Sequence, residues 1–366
     1  MRVDQIDTKL YQSLLEEKVK NTLALFNNFD LPNISVIPSS EQGYRLRAEF
    51  RVWHQDDDSY YIMFDPQNKE KFRVDSFIPG SKLLNDLMKL VREAFLQSEV
   101  LRRKLYQVDF LTTLSGQALV SMIYHKPLDQ SWLAEAEQLK DHLSSVAHIN
   151  IIGRSRKQKV LVDNDYVTES FELDGKQYQY KQIENTFTQP NGLINVAMLS
   201  WARHISNDLT GDLLELYCGN GNFSIALSDK FNKVLATEIA RTSVKAANQN
   251  LTDNQITNVV IGQSSAEDFS AAYFEGKKVK SLKEVDLTSY DFTTILVDPP
   301  RAGLDSDTEK LVTRFDNILY ISCNPETLSN NLSTILQTHE IKDFTFFDQF
   351  PYTHHIETGV WLERKK

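Results

Sequence analysis

From residue 212 onward, short apolar runs alternate with stretches of helical spacing. Leu213–Tyr217, Lys233–Thr237, Asn258–Ile261, Thr294–Val297 and Asn317–Ile321 have the length and aliphatic content of buried strands. Helices are predicted from about Phe223, over 241–250, near 306–314 and over 326–336. A strand that is apolar on both faces needs cover on both. A helix after each strand supplies that cover and returns the chain to begin a parallel neighbour. The pattern predicts an α/β domain with a Rossmann-like, mostly parallel sheet. A helix from Asn191 to about Asn207 leads into it, and 266–290 reads as a charged insertion.

The first 187 residues follow another rhythm. Asp7 is placed to cap a helix reaching about Phe29, with Leu10, Leu14, Val19, Leu23 and Phe26 near helical spacing. Over 44–54, Leu46, Ala48, Phe50 and Val52 alternate with Arg45, Arg47, Glu49, Arg51 and Trp53, the signature of a half-buried strand. The turn Asp56–Ser59 leads to a strand at Tyr60–Phe64. A strand at 71–77, a helix at 82–97, strands at Tyr106–Leu114 and Ala118–His125, a helix at 131–144 and strands near 150–162 follow. Asp174-Gly175 turns a last hairpin. This is an α+β domain with mostly antiparallel pairing, so the expected division is 1–187 and 188–366.

Composition narrows the chemistry. Only two cysteines are present, Cys218 and Cys323, which excludes a disulfide framework and a four-cysteine zinc or iron–sulfur site. No apolar run approaches the roughly 18 residues of a membrane span. The N-terminal residues are polar, and a cytoplasmic location is expected. Net charge is −10, which argues against a generic polyanion binder. Positive charge is grouped locally instead, at Arg45/Arg47/Arg51, Arg102/Arg103/Lys104 and Arg154/Arg156/Lys157/Lys159. RNA, if bound, would be met by patches and shape.

Three segments fall at strand ends of the second half. Leu216-Tyr217-Cys218-Gly219-Asn220-Gly221-Asn222 lets backbone approach a ligand closely and is a loop of the S-adenosylmethionine (SAM) type. Ser224 stands where a dinucleotide fingerprint would have its third glycine. Glu238, 19 residues after Gly219, ends the next strand and is placed to bind ribose hydroxyls. Asp298-Pro299-Pro300 stops a strand at the carboxyl edge, where open α/β sheets bind ligands. Cys323 lies 25 residues later, in Ile321-Ser322-Cys323-Asn324-Pro325. A thiol beside a methyl donor suggests addition to C6 of a pyrimidine, which makes C5 electron-rich enough to accept a methyl group. The following helix N-terminus is expected to lower the thiol pKa. Cys218 reads as packing, because its neighbours are needed for the cofactor. A base must then remove the C5 proton. Glu357 in His354-His355-Ile356-Glu357 is the choice, although spacing alone does not separate it from the two histidines.

These segments resemble the tRNA (uracil-5-)-methyltransferases, which form ribothymidine, over nearly the whole chain. The resemblance also rests on Tyr44–Arg51, Val74–Phe77, Asn185–Asn191, Asp298–Gly303, Ser322–Glu326 and Phe350–Glu357. It implies a class I SAM-dependent methyltransferase domain behind an N-terminal RNA-binding domain. It further implies Cys323 as nucleophile and Glu357 as proton acceptor, with Gln189, Tyr217, Gly219, Asn222, Glu238 and Asp298 at the SAM site. Arg51, Tyr106 and His125 fall where that family meets the flipped uridine and T-loop. The implied partners are tRNA, through its T-loop, and other RNAs with a T-loop-like hairpin. The chain is expected to act as a monomer without a membrane, a metal or an iron–sulfur cluster. Related ribosomal RNA methyltransferases carry a four-cysteine cluster that two cysteines cannot build, which favours the tRNA branch.

Overall fold

The computed structural model describes residues 2–65 and 67–366. The chain groups into two compact units, each made of separate segments: Met1–Lys9, Ser40–Phe171 and Lys181–Leu193 in the first, Leu10–Ser39, Glu172–Tyr180 and Ile194–Lys366 in the second. This differs from one cut near 187 mainly in the helix Tyr11–Leu23, which belongs with the second unit. The reason is local packing. Phe26, in the 3-10 turn after that helix, is fully buried and meets Phe344 edge-on at 5.0 Å. The strand Ile34–Ile37 then pairs in parallel with His339–Phe347.

The second unit holds an eight-stranded sheet. Its order is Ile34–Ile37, His339–Phe347, Glu357–Arg364, Asn317–Ser322, Phe292–Val297, Asp212–Leu216, Val234–Thr237, Val259–Gly262. All neighbours are parallel except Glu357–Arg364, which runs antiparallel to both of its own. Leu214, Leu216, Leu235, Ile295, Val297, Ile318 and Tyr320 are buried together with helix residues Leu311, Leu328, Leu332 and Ile335. The predicted parallel α/β sheet is therefore present. The direction of chain growth reverses between Asp212–Leu216 and Phe292–Val297, the switch point at which such sheets open a crevice. The strand His339–Phe347 was not anticipated. Its first half, His339–Asp343, has one apolar residue although its burial alternates, and its second half is continuously buried, so neither strand template fits it throughout.

The first unit has a seven-stranded sheet in the order Lys71–Arg73, Asp58–Phe64, Arg47–Gln55, Leu105–Thr112, Gln117–Tyr124, His148–Ser155, Gln158–Leu161. One pair is parallel, Gln117–Tyr124 with His148–Ser155, because the helix Gln130–Leu143 forms the crossover. The helix Lys82–Gln97 starts where the Ser81 hydroxyl accepts from Leu84 N–H. It buries Leu84, Leu87, Met88, Val91 and Phe95 in the core that also holds Phe50, Tyr61, Phe77 and Phe110. No helix among the described residues is long and apolar enough to cross a membrane.

Candidate active site

The glycine loop leaves the strand Asp212–Leu216 at the switch point. Tyr217, Gly219 and Gly221 are left-handed, with φ of 63°, 56° and 85°. For Tyr217 this is an uncommon conformation for a residue with a side chain. The turn closes through Gly221 N–H to Cys218 O at 2.9 Å and Cys218 N–H to Thr237 O at 3.1 Å. A Cβ built on Gly219 would meet no atom within 4 Å, so the loop borders open space there. Glu238 accepts from Gly219 N–H at 3.1 Å and from Ala240 N–H at 2.7 Å, which fixes its carboxylate beside that space. The Asn222 amide is paired reciprocally with Asn195, at 2.8 and 3.2 Å. Cys218 is 3% exposed and its thiol is pushed well up by burial, as expected of a packing residue. The helix that follows spans Asn222–Ala226.

Three candidate groups emerge at neighbouring strand ends. Val297 pairs with both Leu216 and Tyr320, so Asp298, the next residue, lies between the glycine loop and the segment leading to Cys323. Ile321 opposes Gly359 and Ser322 opposes Thr358, so continuing the register sets Glu357 opposite Cys323. Asn324 caps the helix Pro325–Ile335 and donates to Arg301 O at 2.9 Å, tying the two loops together. Glu357 is 5% exposed, and its Oε2 is buried without a hydrogen-bond partner. His354 is exposed, while His355 meets Arg301 at 3.3 Å. Strand pairing thus distinguishes Glu357 from the histidines where spacing could not. The described residues contain no cluster of His, Cys, Asp and Glu able to hold a metal.

Electrostatics bind these groups into one site. Burial pushes the Asp298 carboxyl up to about 7. Burial, with Asp298 and Glu238 adding to it, pushes Glu215 up to about 8 despite a hydrogen bond from Ser224. Burial and Asp298 hold Glu357 well above the carboxylate range. Burial, Glu357 and Asp298 push Cys323 from 9.0 to about 11, with Arg301 opposing. This reverses the expectation of a lowered thiol pKa. A helix terminus contributes about 0.3–1 kcal/mol, less than a tenfold effect, and desolvation beside two acids outweighs it. Acids that raise one another in this way are relieved by positive charge, so the donor set fits a cationic ligand. Sequence reasoning missed Glu215. The signal was an acidic residue inside the otherwise apolar run Leu213-Leu214-Glu215-Leu216, where burial is forced.

In the first unit, Arg51, Tyr106 and His125 form a stack. The Arg51 guanidinium lies 3.9 Å from the Tyr106 ring centre, and the His125 ring stacks on Tyr106 at 4.1 Å and 26°. Two groups this close to one centroid must occupy opposite faces, so Tyr106 has no free face. His125, the exposed end, is the available platform. The pairing of Leu105–Thr112 with Gln117–Tyr124 slips between Leu105 and Gln107, and the bulge re-aims Tyr106. A cavity of about 600 Å³ opens beside His125, lined also by Arg103, Lys104 and Lys126. Much of the other grouped positive charge is consumed internally. Arg154 and Lys159 pair with Glu184, and Arg102 donates to Ser59 Oγ and Asp56 O. Gln189 belongs to the first unit, apart in the chain grouping from the other expected cofactor residues.

A family model described as tRNA (Uracil-5-)-methyltransferase matches residues 10–365. A tRNA/tmRNA (uracil-C(5))-methyltransferase of Colwellia psychrerythraea is 54% identical over 355 residues, 97% of this chain and 98% of that one. One from Shewanella loihica is 53% identical over 365 residues, the full length of both. Among solved structures, the Pyrococcus abyssi tRNA (uracil-54, C5)-methyltransferase in complex with S-adenosyl-L-homocysteine aligns with a TM-score of 0.72 at 20% identity. It covers 98% of this chain and 84% of that one, a likeness of fold.

The two thiols should respond differently to iodoacetamide in the folded, ligand-free protein. Alkylation of Cys323 should accelerate about tenfold per pH unit from 7 to 10, tracking a thiolate that forms only near pH 11. Cys218 should stay unmodified. Peptide mass spectrometry across pH checks both, and a Cys323 titration midpoint below 8 would contradict the electrostatics described.

Proposed function

The chain belongs to the tRNA (uracil-5-)-methyltransferase family, and we propose that it methylates C5 of a T-loop uridine through a covalent bond between Cys323 and C6 of the base. The observation that carries this reading is the register that sets Glu357 opposite Cys323, beside Asp298 and the glycine loop. SAM is the cofactor, and when bound it supplies an electrophilic methyl group on a positively charged sulfonium. Tyr217, Gly219, Asn222 with its partner Asn195, Glu238 and Asp298 would hold it. The site acts on tRNA in the cytoplasm, as a monomer.

The resting thiol is neutral, so adduct formation begins with loss of its proton. Of its two acidic neighbours, Asp298 is the one partly ionised near pH 7 and able to take that proton. The sulfur then bonds to C6, the C5–C6 electron pair shifts toward O4 as an enolate, and C5 would take the methyl group as its bond to the sulfonium sulfur breaks, leaving S-adenosylhomocysteine. The positive charge of bound SAM would favour ionisation of Glu357, whose own proton would pass to solvent before the site closes, and its carboxylate would then remove the C5 proton. The C5–C6 double bond re-forms and the C6–sulfur bond breaks, returning Cys323. A carboxylate whose pKa is raised by burial is a stronger base for that step. The target base must leave its stacked loop to reach this edge. Arg51, Tyr106 and His125 offer the T-loop a cationic and aromatic platform, with stacking on the open side of His125.

A T-loop hairpin carrying 5-fluorouridine should form an adduct with the wild type and SAM that survives denaturation, because fluorine cannot leave as the proton does. Cys323→Ala should give none and no turnover, and turnover by that variant would end the covalent reading. Affinity for SAM should weaken about tenfold per pH unit as the pH falls below about 7, because protonated Asp298 no longer favours a cation. S-adenosylhomocysteine, whose sulfur is neutral, should show a smaller slope, and equal slopes by calorimetry would refute the cation assignment. His125→Ala should weaken hairpin binding about tenfold or more, with SAM affinity unchanged. Unchanged hairpin affinity in a filter-binding assay would remove His125 from the interface.

A further inference from the structure

We propose that Lys18 is a positioning residue for the second half of the reaction: its ammonium group pins both ends of the loop that delivers Glu357 to the C5 proton. This rests on the reading of Cys323 and Glu357 given above. The loop spans residues 348–356, between the strands His339–Phe347 and Glu357–Arg364.

An ammonium has three donors, and Lys18 uses each of them on this loop. Its Nζ donates to Asp348 Oδ1 at 2.6 Å, Phe350 O at 2.9 Å and His355 O at 3.1 Å. The first partner opens the loop and the last stands two residues before Glu357. Tyr11, seven residues earlier and on the same helix face, donates to Asp348 Oδ2 at 2.8 Å and accepts from Ser39 N–H at 2.7 Å. Asp348 is held from its backbone as well, its N–H donating to Ile37 O at 3.0 Å. Tyr352, in the left-handed conformation at φ 63°, meets the Tyr11 ring at 5.8 Å. His355 continues the chain of contacts to Arg301, whose carbonyl accepts from Asn324 next to Cys323.

The chemistry of the pair favours geometry over stability as its purpose. The Lys18 and Asp348 side chains are 6% and 1% exposed. Burying two ions costs desolvation that apolar residues of equal volume would avoid, so a buried pair argues weakly for stability and more strongly for fixing a position. Glu357 needs such fixing. Its Oε2 has no hydrogen-bond partner, so the carboxyl is placed by the backbone that leads into it. Proton abstraction at carbon tolerates little misplacement, and about 1 Å can cost a hundredfold.

The test uses full-length protein in single turnover with T-loop RNA and SAM. Lys18→Met leaves Asp348 buried and unpaired, so the double variant Lys18→Met/Asp348→Asn is measured beside it, with thermal unfolding and SAM affinity as controls. The double variant should form the 5-fluorouridine adduct within about threefold of the wild-type rate. With ordinary uridine it should release methylated RNA about tenfold to a hundredfold more slowly, so that a methylated RNA–protein adduct accumulates. Lys18→Arg, which keeps the charge, should restore part of the release rate. Unchanged release overturns the proposal. So does an equal fall in adduct formation and release, which marks a general structural role. If the wild type forms no fluorouridine adduct, the reading of Cys323 fails first and takes this proposal with it.

Discussion

Like-charged acids held out of water at one sheet edge govern this molecule. Glu215, Asp298 and Glu357 come from three different strands or their ends, yet each is raised by burial and by a neighbouring acid or by burial alone. Cys323 is raised with them. A protein stable in isolation would not gather such groups, because each desolvated acid opposes the ionisation of the next. The arrangement becomes favourable when positive charge enters. Stability is given up locally for a site whose raised acids favour a bound cation.

One strand direction brings Glu357 and Cys323 to the same edge. A wholly parallel sheet would place successive strand ends side by side along its carboxyl edge. The final strand, Glu357–Arg364, runs the other way and brings its first residue to that same edge. Glu357 is thereby set opposite Cys323 at the end of one hydrogen-bonded ladder, in a strand that both neighbours pair with. The remaining freedom lies in the loop before Glu357, and the helix Tyr11–Leu23 meets that loop with an ammonium and a phenol on one face. This also accounts for the N-terminal helix packing with the second unit, far from it in sequence.

The first unit solves a different problem with the same economy. Several of its grouped positive charges are spent on internal carboxylates and carbonyls. What is left for a partner is a bulge that stands Tyr106 between Arg51 and His125, with a cavity bordered by Arg103 and Lys104 alongside. Such a surface offers shape and an aromatic platform more than bulk charge, in a chain whose net charge is −10.

By itself the sequence determined what depends on neighbours along the chain. Period and composition specified the buried strands of the parallel sheet, the alternating strand read over 44–54, and the helices read at 82–97 and 131–144. Glycine placement marked the loop at 219–221 as one that a ligand can approach closely, and Cys323 after Ser322 stood out as a candidate reactive group. Tertiary structure decided what depends on distant neighbours. It joined the first helix to the second unit through Phe26 and the strand Ile34–Ile37. It separated Glu357 from His354 and His355 by strand register. It turned the Cys323 pKa upward, because two carboxyl groups from other strands outweigh one helix end. It covered both faces of Tyr106 and placed Lys18 under a loop more than 300 residues away. A residue's period is written in the residues beside it, whereas its field and its partners are set only when the chain closes on itself.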